Sequence, residues 1–560
     1  MSAPSGRRGD RLLAAGAAAL VLGMGAMSFL VNGRLVYALD DPYIHMSVAR
    51  SLAQHGVWGL RADAFASASS SPLWTLLLAG VYRVAGPSDL APLLLNALAA
   101  GIAVLAAAAL LDACGVRGGA RPVALLAVIL LAPLGPIGLT GMEHVMHAAA
   151  TLAFVAVAVR ALDRGAGPGS ASAGAGTGRL VAAACLLALV MTGLRFEGLF
   201  MAAGAVLLFL LQRRVAAAAA VAVAAWVPVV IYGWYSTAHG AMWLPNPVAI
   251  KGNLGHLGSP GAAAAALLGK WFTRNLLVRG AGVLLLVALA ILALLRRPAA
   301  ARRRPAPRDH AAAIFVVGAL LHLQLASLGW FFRYEMYLVA LGVVVVAAQY
   351  EELLRSFRAG ARLVRHDAAA AGLLALAAAA LLARAGVAHA RAPRATREIA
   401  MQQVQMARFL ERYYDGRMVA VNDIGAVSWY SHAQILDLWG LANLETARLL
   451  MRDALDGPAI ARLAAERSVR VALVYDEVLG RPDARGKVAP PPGWTRVGVW
   501  KLARNVVAAN WQVSIYDVAP DEEAALREHL REFAPTLPPE VTFVETPPRT
   551  ADAALAPTGD

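Results

Sequence analysis

Two adjacent carboxylates, Asp40 and Asp41, follow the first long apolar run of the chain and precede Pro42. Charged groups are costly to keep beside hydrocarbon, so a carboxylate pair next to a membrane span indicates a functional site. One carboxylate of such a pair can act as a general base, while its neighbour raises the pKa of the base or orients a substrate hydroxyl. Because Asp-Pro is also a common start of a helix, helix capping is the alternative interpretation.

Two further charged motifs, each with a glutamate, lie near the predicted ends of apolar runs. Glu143 and His147 are one helical turn apart, a spacing that suits either metal binding or a hydrogen-bonded cluster at the membrane interface. We interpret Glu143 as part of a substrate pocket. Arg195 and Glu197 interrupt two apolar runs and therefore predict an ion pair near the outer face, where structural pairing and substrate contact both fit.

Cations occur in two other predicted outer loops. Asn246 and Lys251 lie in one of these loops, and Arg333 and Tyr334 in the other. Lysine binds phosphate as a point charge and arginine binds it as a planar fork, so both cations fit a phosphate that is carried on a lipid. Anchoring to lipid headgroups is the alternative.

The composition predicts a polytopic membrane protein. Of 560 residues, 59% are hydrophobic and 16% are charged, whereas a soluble protein carries about 25% charged residues. The net charge of +15 comes from arginines in short clusters between apolar runs, as is typical of cytoplasmic loops. We therefore predict no nucleic-acid partner. Two cysteines predict neither a disulfide framework nor a metal site.

The first apolar run, 12–30, follows three arginines and lacks a small-residue cleavage site. We predict an uncleaved span with a cytoplasmic N terminus. The run 73–85 has about 13 residues, fewer than the roughly 17 that a span needs, so we predict that it does not cross. If 73–85 does not cross, about twenty Lys and Arg lie on the cytoplasmic side and about ten on the outer side, and the chain has about eleven spans in all. The later spans are 90–111, 122–139, 145–159, 180–194, 196–211, 215–235, 280–295, 311–330, 336–349 and 368–382.

We divide the chain into a transmembrane domain, 1–389, an extracytoplasmic α/β domain, 390–546, and a disordered tail, 547–560. The transmembrane domain includes an outer catalytic loop, 38–88. The glycine-rich stretch 165–178 is predicted to be a flexible inner loop. In the C-terminal domain, periodicity predicts a helix at 399–413 and strands at 418–421, 434–438, 469–474, 497–502 and 512–518.

Several of these motifs together resemble the GT-C fold glycosyltransferases, in particular a bacterial branch of terminal arabinofuranosyltransferases and mannosyltransferases. The resemblance covers roughly residues 12–445 and depends on the order of the motifs. The motifs are Leu39-Asp40-Asp41-Pro42-Tyr43-Ile44, Ser71-Pro72-Leu73-Trp74, Gly141-Met142-Glu143, Arg195-Phe196-Glu197-Gly198, Pro245-Asn246 with Lys251, Arg333-Tyr334, and Asn422-Asp423-Ile424-Gly425-Ala426 with Leu436-Asp437-Leu438-Trp439.

The resemblance implies a hexosyl- or pentosyltransferase of the plasma membrane. Such an enzyme moves a sugar from a polyprenyl-phosphate donor to a hydroxyl of a glycan, lipid or protein outside the cell, with inversion. Asp40 is then the base, assisted by Asp41, and Lys251 and Arg333 stabilise the departing lipid phosphate. The remaining predicted substrate-binding residues are Glu143, Arg195, Glu197, Asn246 and Tyr334. Participation of a divalent cation is left open, and no metal ligands are predicted.

The competing hypothesis is a transporter or a non-catalytic assembly partner in envelope biogenesis. A transporter predicts charged or broken segments at mid-membrane and internal repeats, neither of which is evident in this sequence. An active site of the C-terminal domain, between Asp423 and Asp437, is a further alternative. Trp429, Tyr430, Trp439 and Trp511 suit either sugar stacking or a domain core.

Overall fold

The computed structural model describes residues 4–164, 171–251, 274–298, 305–358, 365–476, 488–519 and 521–547. The chain forms two units. The first comprises Met1–Ala38 and Ser69–Pro393, and the second comprises Leu39–Ala68 and Arg394–Asp560. The stretch 38–88, predicted to be one outer loop, is therefore divided, and its acidic part groups with the C-terminal residues.

Helices dominate the chain as far as Tyr413. They are α1 (Pro4–Asn32), α2 (Asp41–His55), α3 (Pro72–Ala85), α4 (Leu90–Ala113), α5 (Ala120–Leu131), α6 (Leu134–Gly138), α7 (His144–Arg164), α8 (Ala171–Leu194), α9 (Gly198–Leu211), α10 (Val215–Ala238), α11 (Asn246–Lys251), α12 (Arg274–Arg279), α13 (Ala281–Leu295), α14 (Pro307–Leu325), α15 (Met336–Gln349), α16 (Glu351–Arg358), α17 (Arg365–Met401) and α18 (Gln403–Tyr413). Of these, α2 and α18 belong to the second unit, and the boundary at Pro393 falls inside α17.

Six helical stretches in the described residues are long and apolar enough to cross a membrane: Arg7–Asn32, Leu90–Ala113, His144–Arg164, Gly176–Leu194, Val215–Ala238 and Asp367–Tyr413. Five shorter apolar helices accompany them: Pro72–Ala85, Ala120–Leu131, Gly198–Leu211, Ala281–Leu295 and Met336–Gln349. The prediction of a mostly helical, multi-span membrane protein with a C-terminal α/β domain is confirmed. The number of crossings and their direction stay predictions.

Three predicted segments of the first unit differ from the structure. The run 122–139 is two helices, α5 and α6, because Pro133 lies at the break between them and proline ends a helix before it. The inner loop predicted at 165–178 is helical from Ala171, which lengthens α8 at its N terminus, and residues 165–170 lie outside the described residues. The span predicted at 311–330 ends at Leu325.

The predicted helices around the unit boundary also differ from the structure. The run 368–382 is the apolar part of a much longer helix, α17. The helix predicted at 399–413 is interrupted at Gln402, where the backbone has φ −113° and ψ −76°, so α17 ends and α18 begins there.

The second unit contains a six-stranded sheet. Its strands are β1 (Met418–Val421), β2 (Gln434–Asp437), β3 (Val471–Val474), β4 (Thr495–Leu502), β5 (Gln512–Asp517) and β6 (Val541–Glu545), in the order β2-β1-β3-β5-β4-β6. β1 pairs in parallel with β2 and β3, with Val419 opposite Ile435 and Val471, whereas β5, β4 and β6 continue the sheet antiparallel. β6 was not predicted from the sequence. Of the predicted tail, residues 548–560 lie outside the described residues.

Apolar side chains of the strands and helices form the core of this second unit. The helices are α19 (Gly425–Tyr430), α20 (Leu444–Met451), α21 (Gly457–Glu466) and α22 (Glu523–Phe533), and a 3₁₀ turn follows at Ala534–Thr536. Ala420, Leu436 and Ala472 of the parallel strands pack against Ile460 and Leu463 of α21. Burial of such side chains stabilises the sheet, and it fixes the loops that follow the carboxyl ends of β1, β2 and β3.

Candidate functional site

Asp40 and Asp41 lie in the second unit, in the segment Leu39–Ala68, which we call the acidic segment. Both residues are half-buried. α2 begins at Asp41, with Pro42 in the first turn, where the fixed φ of proline suits a helix. Asp40 precedes α2 as its N-cap residue, but its side chain makes no capping hydrogen bond within the described residues of α2. Capping of its own helix therefore does not account for the Asp40 carboxylate.

The Asp40 carboxylate instead binds the first turn of α19. Oδ2 accepts a hydrogen bond from the Gly425 amide at 2.6 Å, and Oδ1 accepts one from the Ala426 amide at 2.8 Å. The first amides of a helix have no acceptor within the helix, so a carboxylate satisfies them and is itself stabilised. A Cβ atom on Gly425 would lie 2.0 Å from the Asp40 carbonyl oxygen. The approach of the two chain segments therefore requires glycine at this position.

Asp423 lies two residues before Gly425, in the loop that leaves β1. Its Oδ2 accepts hydrogen bonds from the Tyr475 hydroxyl at 2.6 Å and from Gln403 Nε2 at 2.8 Å. Tyr475 follows β3, and its amide donates to the Asn422 side chain at 2.8 Å. The carboxyl ends of two neighbouring parallel strands thus hold a second carboxylate close to the charge of Asp40.

The environment of Asp40 raises the pKa of its carboxyl group well above its ordinary value. Burial is the largest cause, and the negative charges of Asp423 and Asp41 act in the same direction. The amide hydrogen bonds from Gly425 and Ala426 oppose the increase but do not cancel it. A carboxylate with a fixed orientation and a raised pKa is a stronger base than an ordinary aspartate and is suited to accept a proton from a substrate hydroxyl.

Arg50 binds the other end of α19. Its Nη1 donates to the Trp429 carbonyl at 2.9 Å and its Nη2 donates to the Ser428 carbonyl at 2.8 Å, and its guanidinium carbon lies 4.6 Å from the centre of a Trp429 ring. A cation satisfies the carbonyls at the C terminus of a helix as an anion satisfies the amides at the N terminus. The acidic segment therefore contacts both ends of α19, which fixes the position of Asp40. Trp429 is itself buried.

In the first unit, Arg195 bridges two predicted site residues. Its Nη1 donates to Glu143 Oε1 and its Nη2 donates to Glu197 Oε1, each at 2.6 Å. Glu143 is fully buried and Arg195 is 8% exposed. Ser71 Oγ donates to the Leu194 carbonyl at 2.5 Å, which ties α3 to the end of α8 immediately before Arg195. The predicted ion pair is thus a triad of one cation and two carboxylates.

Tyr334 lies beside this triad and beside a second cation. Its ring centre is 5.6 Å from the guanidinium carbon of Arg195 and 5.0 Å from that of Arg333. The Tyr334 hydroxyl accepts a hydrogen bond from Arg333 Nη2 at 3.1 Å. Cations over aromatic rings are attracted by the negative ring face. The structure therefore brings five predicted residues together in the first unit: Glu143, Arg195, Glu197, Arg333 and Tyr334.

Two further polar residues, Tyr337 and His322, lie beside this group, and neither was predicted from the sequence. Tyr337, on α15, lies 4.6 Å from the ring centre of His147, and its hydroxyl lies 3.1 Å from Nδ1 of His322. All three side chains are almost completely buried. A histidine in the apolar run that forms α14 was the available sequence signal, because ionisable groups inside a membrane span indicate function.

The remaining predicted site residues lie outside the two groups described above. Asn246 is buried at the start of α11. Lys251 is the last residue of α11, and its side chain lies outside what the structure describes. Asp437, a candidate for a C-terminal active site, accepts hydrogen bonds from the amides of Trp439, Gly440 and Ala442, so its carboxylate shapes the loop after β2. Within the described residues, no group of three or more His, Cys, Asp or Glu side chains could hold a metal ion.

Comparisons with known proteins give one family match and several structural likenesses. A family model described as a domain of unknown function (DUF8728) matches residues 395–516. The comparison with curated proteins gave no match. ArnT from Cupriavidus metallidurans, in the apo state, is 13% identical, with a TM-score of 0.49 over 89% of this chain and 97% of that chain.

Two archaeal structures are also similar. The oligosaccharyltransferase AglB from Archaeoglobus fulgidus, in complex with an inhibitory peptide and a dolichol-phosphate, is 13% identical, with a TM-score of 0.42 over 82% of this chain and 69% of that chain. The apo form of the Archaeoglobus fulgidus oligosaccharyltransferase is 12% identical, with a TM-score of 0.45 over 90% of this chain and 75% of that chain.

Proposed function

We propose that this chain is an integral membrane glycosyltransferase of the GT-C type. It transfers a sugar from a polyprenyl-phosphate donor to a hydroxyl of an envelope glycan, lipid or protein on the extracytoplasmic face. The observation that carries the proposal is the environment of the Asp40 carboxylate. Two backbone amides orient this carboxylate, and its pKa is raised by burial and by neighbouring carboxylates. The motif order seen in the sequence supports the same class of enzyme.

In the proposed reaction, Asp40 accepts the proton of the acceptor hydroxyl. The acceptor oxygen then bonds to the anomeric carbon of the sugar, and the bond between that carbon and the phosphate oxygen breaks. Polyprenyl phosphate leaves with the bonding electron pair. Because the attacking and leaving oxygens lie on opposite sides of the carbon, the configuration inverts. A general base of this kind contributes about 10² to 10⁴ in rate, and the negative charge of Asp41 orients the acceptor.

The cations of the first unit have a separate role in the proposal. Arg333 and Lys251 stabilise the negative charge that develops on the departing phosphate, and a positioned donor of this kind contributes about 3 kcal/mol. The triad of Arg195, Glu143 and Glu197 shapes the donor pocket together with Asn246 and Tyr334. The proposed reaction needs no nucleotide, because the lipid phosphate is itself the leaving group.

The experiment that tests this function uses the purified full-length chain in lipid nanodiscs with a panel of polyprenyl-phosphate sugars. Release of polyprenyl phosphate is measured for the wild type, Asp40→Asn and Asp41→Asn. Asp63→Asn is the matched control, because Asp63 lies on the same acidic segment with its side chain 67% exposed. We expect Asp40→Asn to lower the rate at least about 100-fold and the control to retain it.

A contrary result has a clear meaning. If no donor in the panel releases polyprenyl phosphate, or if both acidic-pair variants release it at the wild-type rate, the transferase assignment is wrong. A transporter or assembly partner would then be the better explanation. Melting temperatures of all variants, measured in the same nanodiscs, separate a loss of chemistry from a loss of folding.

A further inference from the structure

The loop between α14 and α15, Gly329–Glu335, has an unusual backbone. Gly329 has φ +85°, and the next three residues, Trp330, Phe331 and Phe332, have φ +44°, +59° and +63°. Side chains with a Cβ atom disfavour this left-handed region, and bulky residues there are true outliers. Such strain persists only where surrounding contacts hold it, and it is concentrated at ligand-binding sites. The loop carries Arg333, so its shape decides where that cation lies.

Arg384, on α17, donates hydrogen bonds to this loop. Its Nη2 donates to the Phe332 carbonyl at 2.6 Å and to Glu335 Oε1 at 2.9 Å. The other carboxylate oxygen of Glu335 accepts a hydrogen bond from the Gly329 amide at 2.8 Å. Arg384 and Glu335 thus bind the backbone at Phe332 and Gly329, the two ends of the left-handed stretch.

The same arginine has donors that these contacts do not use. Nε and Nη1 of Arg384 are buried and donate to no atom of the described residues, although its side chain is only 10% exposed. A buried guanidinium group normally satisfies its donors, because desolvation without compensation is costly. Each of these two unused donors can bind one oxygen of an anion, and such charge-assisted hydrogen bonds are stronger than those between neutral groups.

Two further arginines, Arg279 and Arg333, lie at the loop. Arg279, at the end of α12, lies over Gly329, since a Cβ atom on that glycine would be 2.7 Å from Arg279 Cδ. Arg333 is 2% exposed.

We propose that Arg384 and Arg279 complete, with Arg333, a binding site for a phosphate monoester, and that Glu335 positions the loop for it. The inference deepens the proposed function, on which it rests for the identity of the ligand as a lipid-linked phosphate. A phosphate monoester presents several oxygens to guanidinium donors from three elements, whereas a carboxylate presents two. Arg279 is exposed, whereas the Arg384 side chain is only 10% exposed.

The test measures binding by the full-length chain in nanodiscs of phosphatidylcholine. Three probes are compared: polyprenyl phosphate, polyprenyl alcohol and inorganic phosphate. The variants are Arg384→Lys, which keeps the charge and an ion pair with Glu335 but removes the two unused guanidinium donors, and Arg279→Gln. Arg397→Gln is the control, because Arg397 forms an ion pair in the second unit with Glu540 at 2.7 Å. Melting temperatures verify that each variant folds.

We expect the wild type to bind polyprenyl phosphate and not the alcohol, and each variant to weaken this binding about tenfold or more. Binding of inorganic phosphate as tightly as the lipid would instead assign the site to free phosphate, with the same loss in both variants. Wild-type affinity for both phosphate probes in Arg384→Lys and Arg279→Gln would overturn the inference, as would a wild type that binds neither.

A kinetic measurement separates this inference from the proposed function. If the wild type releases polyprenyl phosphate from a donor, the function stands, and the site predicts a higher KM in Arg384→Lys than in the control. An unchanged KM in that variant would refute the phosphate site alone. No release by the wild type would refute the glycosyltransferase, whatever the binding data show.

Discussion

Oδ2 of Asp40 accepts a hydrogen bond from the amide of Gly425 at 2.6 Å, although the two residues are 385 positions apart in the chain. This contact joins the acidic segment to the helix that follows the first strand of the sheet. It depends on the absence of a side chain, because a Cβ atom on Gly425 would lie 2.0 Å from the Asp40 carbonyl oxygen and 2.6 Å from its carboxylate. The position of the proposed base is therefore set by a glycine of the C-terminal part of the chain.

The first prediction is that Gly425→Ala lowers transfer activity by about tenfold or more, since a small displacement of a catalytic group has a large effect on rate. The added methyl group must push Asp40 away from its two amides. Release of polyprenyl phosphate is measured beside Gly493→Ala, a control in the same unit where an added Cβ meets nothing within 4 Å. Equal activity in the two variants would show that the amide contacts do not position the base.

A second prediction concerns the pH dependence of the reaction. The charge of Asp423 raises the pKa of Asp40, and a base must be ionised to accept a proton. Asp423→Asn removes that charge, so the pKa of Asp40 falls and the acidic limb of the kcat/KM profile moves to lower pH. Asp476→Asn is the control, because its carboxylate binds Ser514 and Tyr516 instead. A limb that does not move in Asp423→Asn would exclude Asp40 as the titrating base.

Much of the fold follows from the sequence because local rules determine it. Apolar runs predict most of the apolar helices, and alternating patterns predict the first five strands within a few residues. The break at Pro133 was missed because the apolar run continues on both sides of it, although proline gave a local signal. β6 was missed although its burial alternates as in other half-buried strands, because its pairing with β4 decides the structure there.

The candidate sites were less accessible to sequence reasoning. Asp40 was predicted from the residues next to it in the sequence, but its amide partners lie hundreds of residues away. No local sequence pattern indicates that Asp423 lies near it. Arg384 lies in an apolar run and resembles an ordinary end of a span. Its importance depends on the left-handed backbone at Phe332, which the residue types there disfavour and only the tertiary contacts impose.

The third prediction is that Arg195→Gln lowers the free energy of unfolding by about 3–5 kcal/mol, because it leaves the buried Glu143 and the partly buried Glu197 without their cation. The triple variant Glu143→Gln, Arg195→Gln, Glu197→Gln removes the charges together and should recover part of the loss. Thermal unfolding in detergent measures both, with Arg462→Gln as an exposed control. A triple variant that is no more stable than Arg195→Gln would contradict the charge explanation.

The fourth prediction is that Arg50→Lys lowers the free energy of unfolding by about 1–3 kcal/mol. A lysine cannot bind the Ser428 and Trp429 carbonyls as a planar fork while it stacks on the Trp429 ring. Unfolding followed by tryptophan fluorescence measures the change, and Arg467→Lys, which alters a half-exposed ion pair with Glu445, is the matched control. If both substitutions have the same small effect, Arg50 does not hold the acidic segment on α19.

The last prediction uses pH to test the buried carboxylate of Asp437. Burial raises the pKa of this group from 3.8 to about 6, although the amides of the loop after β2 oppose the shift. An acid whose pKa is raised by folding stabilises the folded state fully below its ordinary pKa, and this contribution is lost as the pH rises through the higher value. The loss amounts to about 3 kcal/mol for a shift of about two units.

The expected result is a difference between the wild type and Asp437→Asn that changes with pH. The variant lacks the titrating group, so its stability deficit relative to the wild type should be largest near pH 4 and should shrink by up to about 3 kcal/mol towards pH 7. Asp456→Asn is the control, since that carboxylate also accepts a backbone amide, from Ala459 at 2.8 Å, but is exposed. Other titrating groups are common to all three proteins and cancel in the comparison. A deficit of Asp437→Asn that stays constant from pH 4 to pH 7 would show that Asp437 is ionised throughout and that its amide hydrogen bonds outweigh its burial.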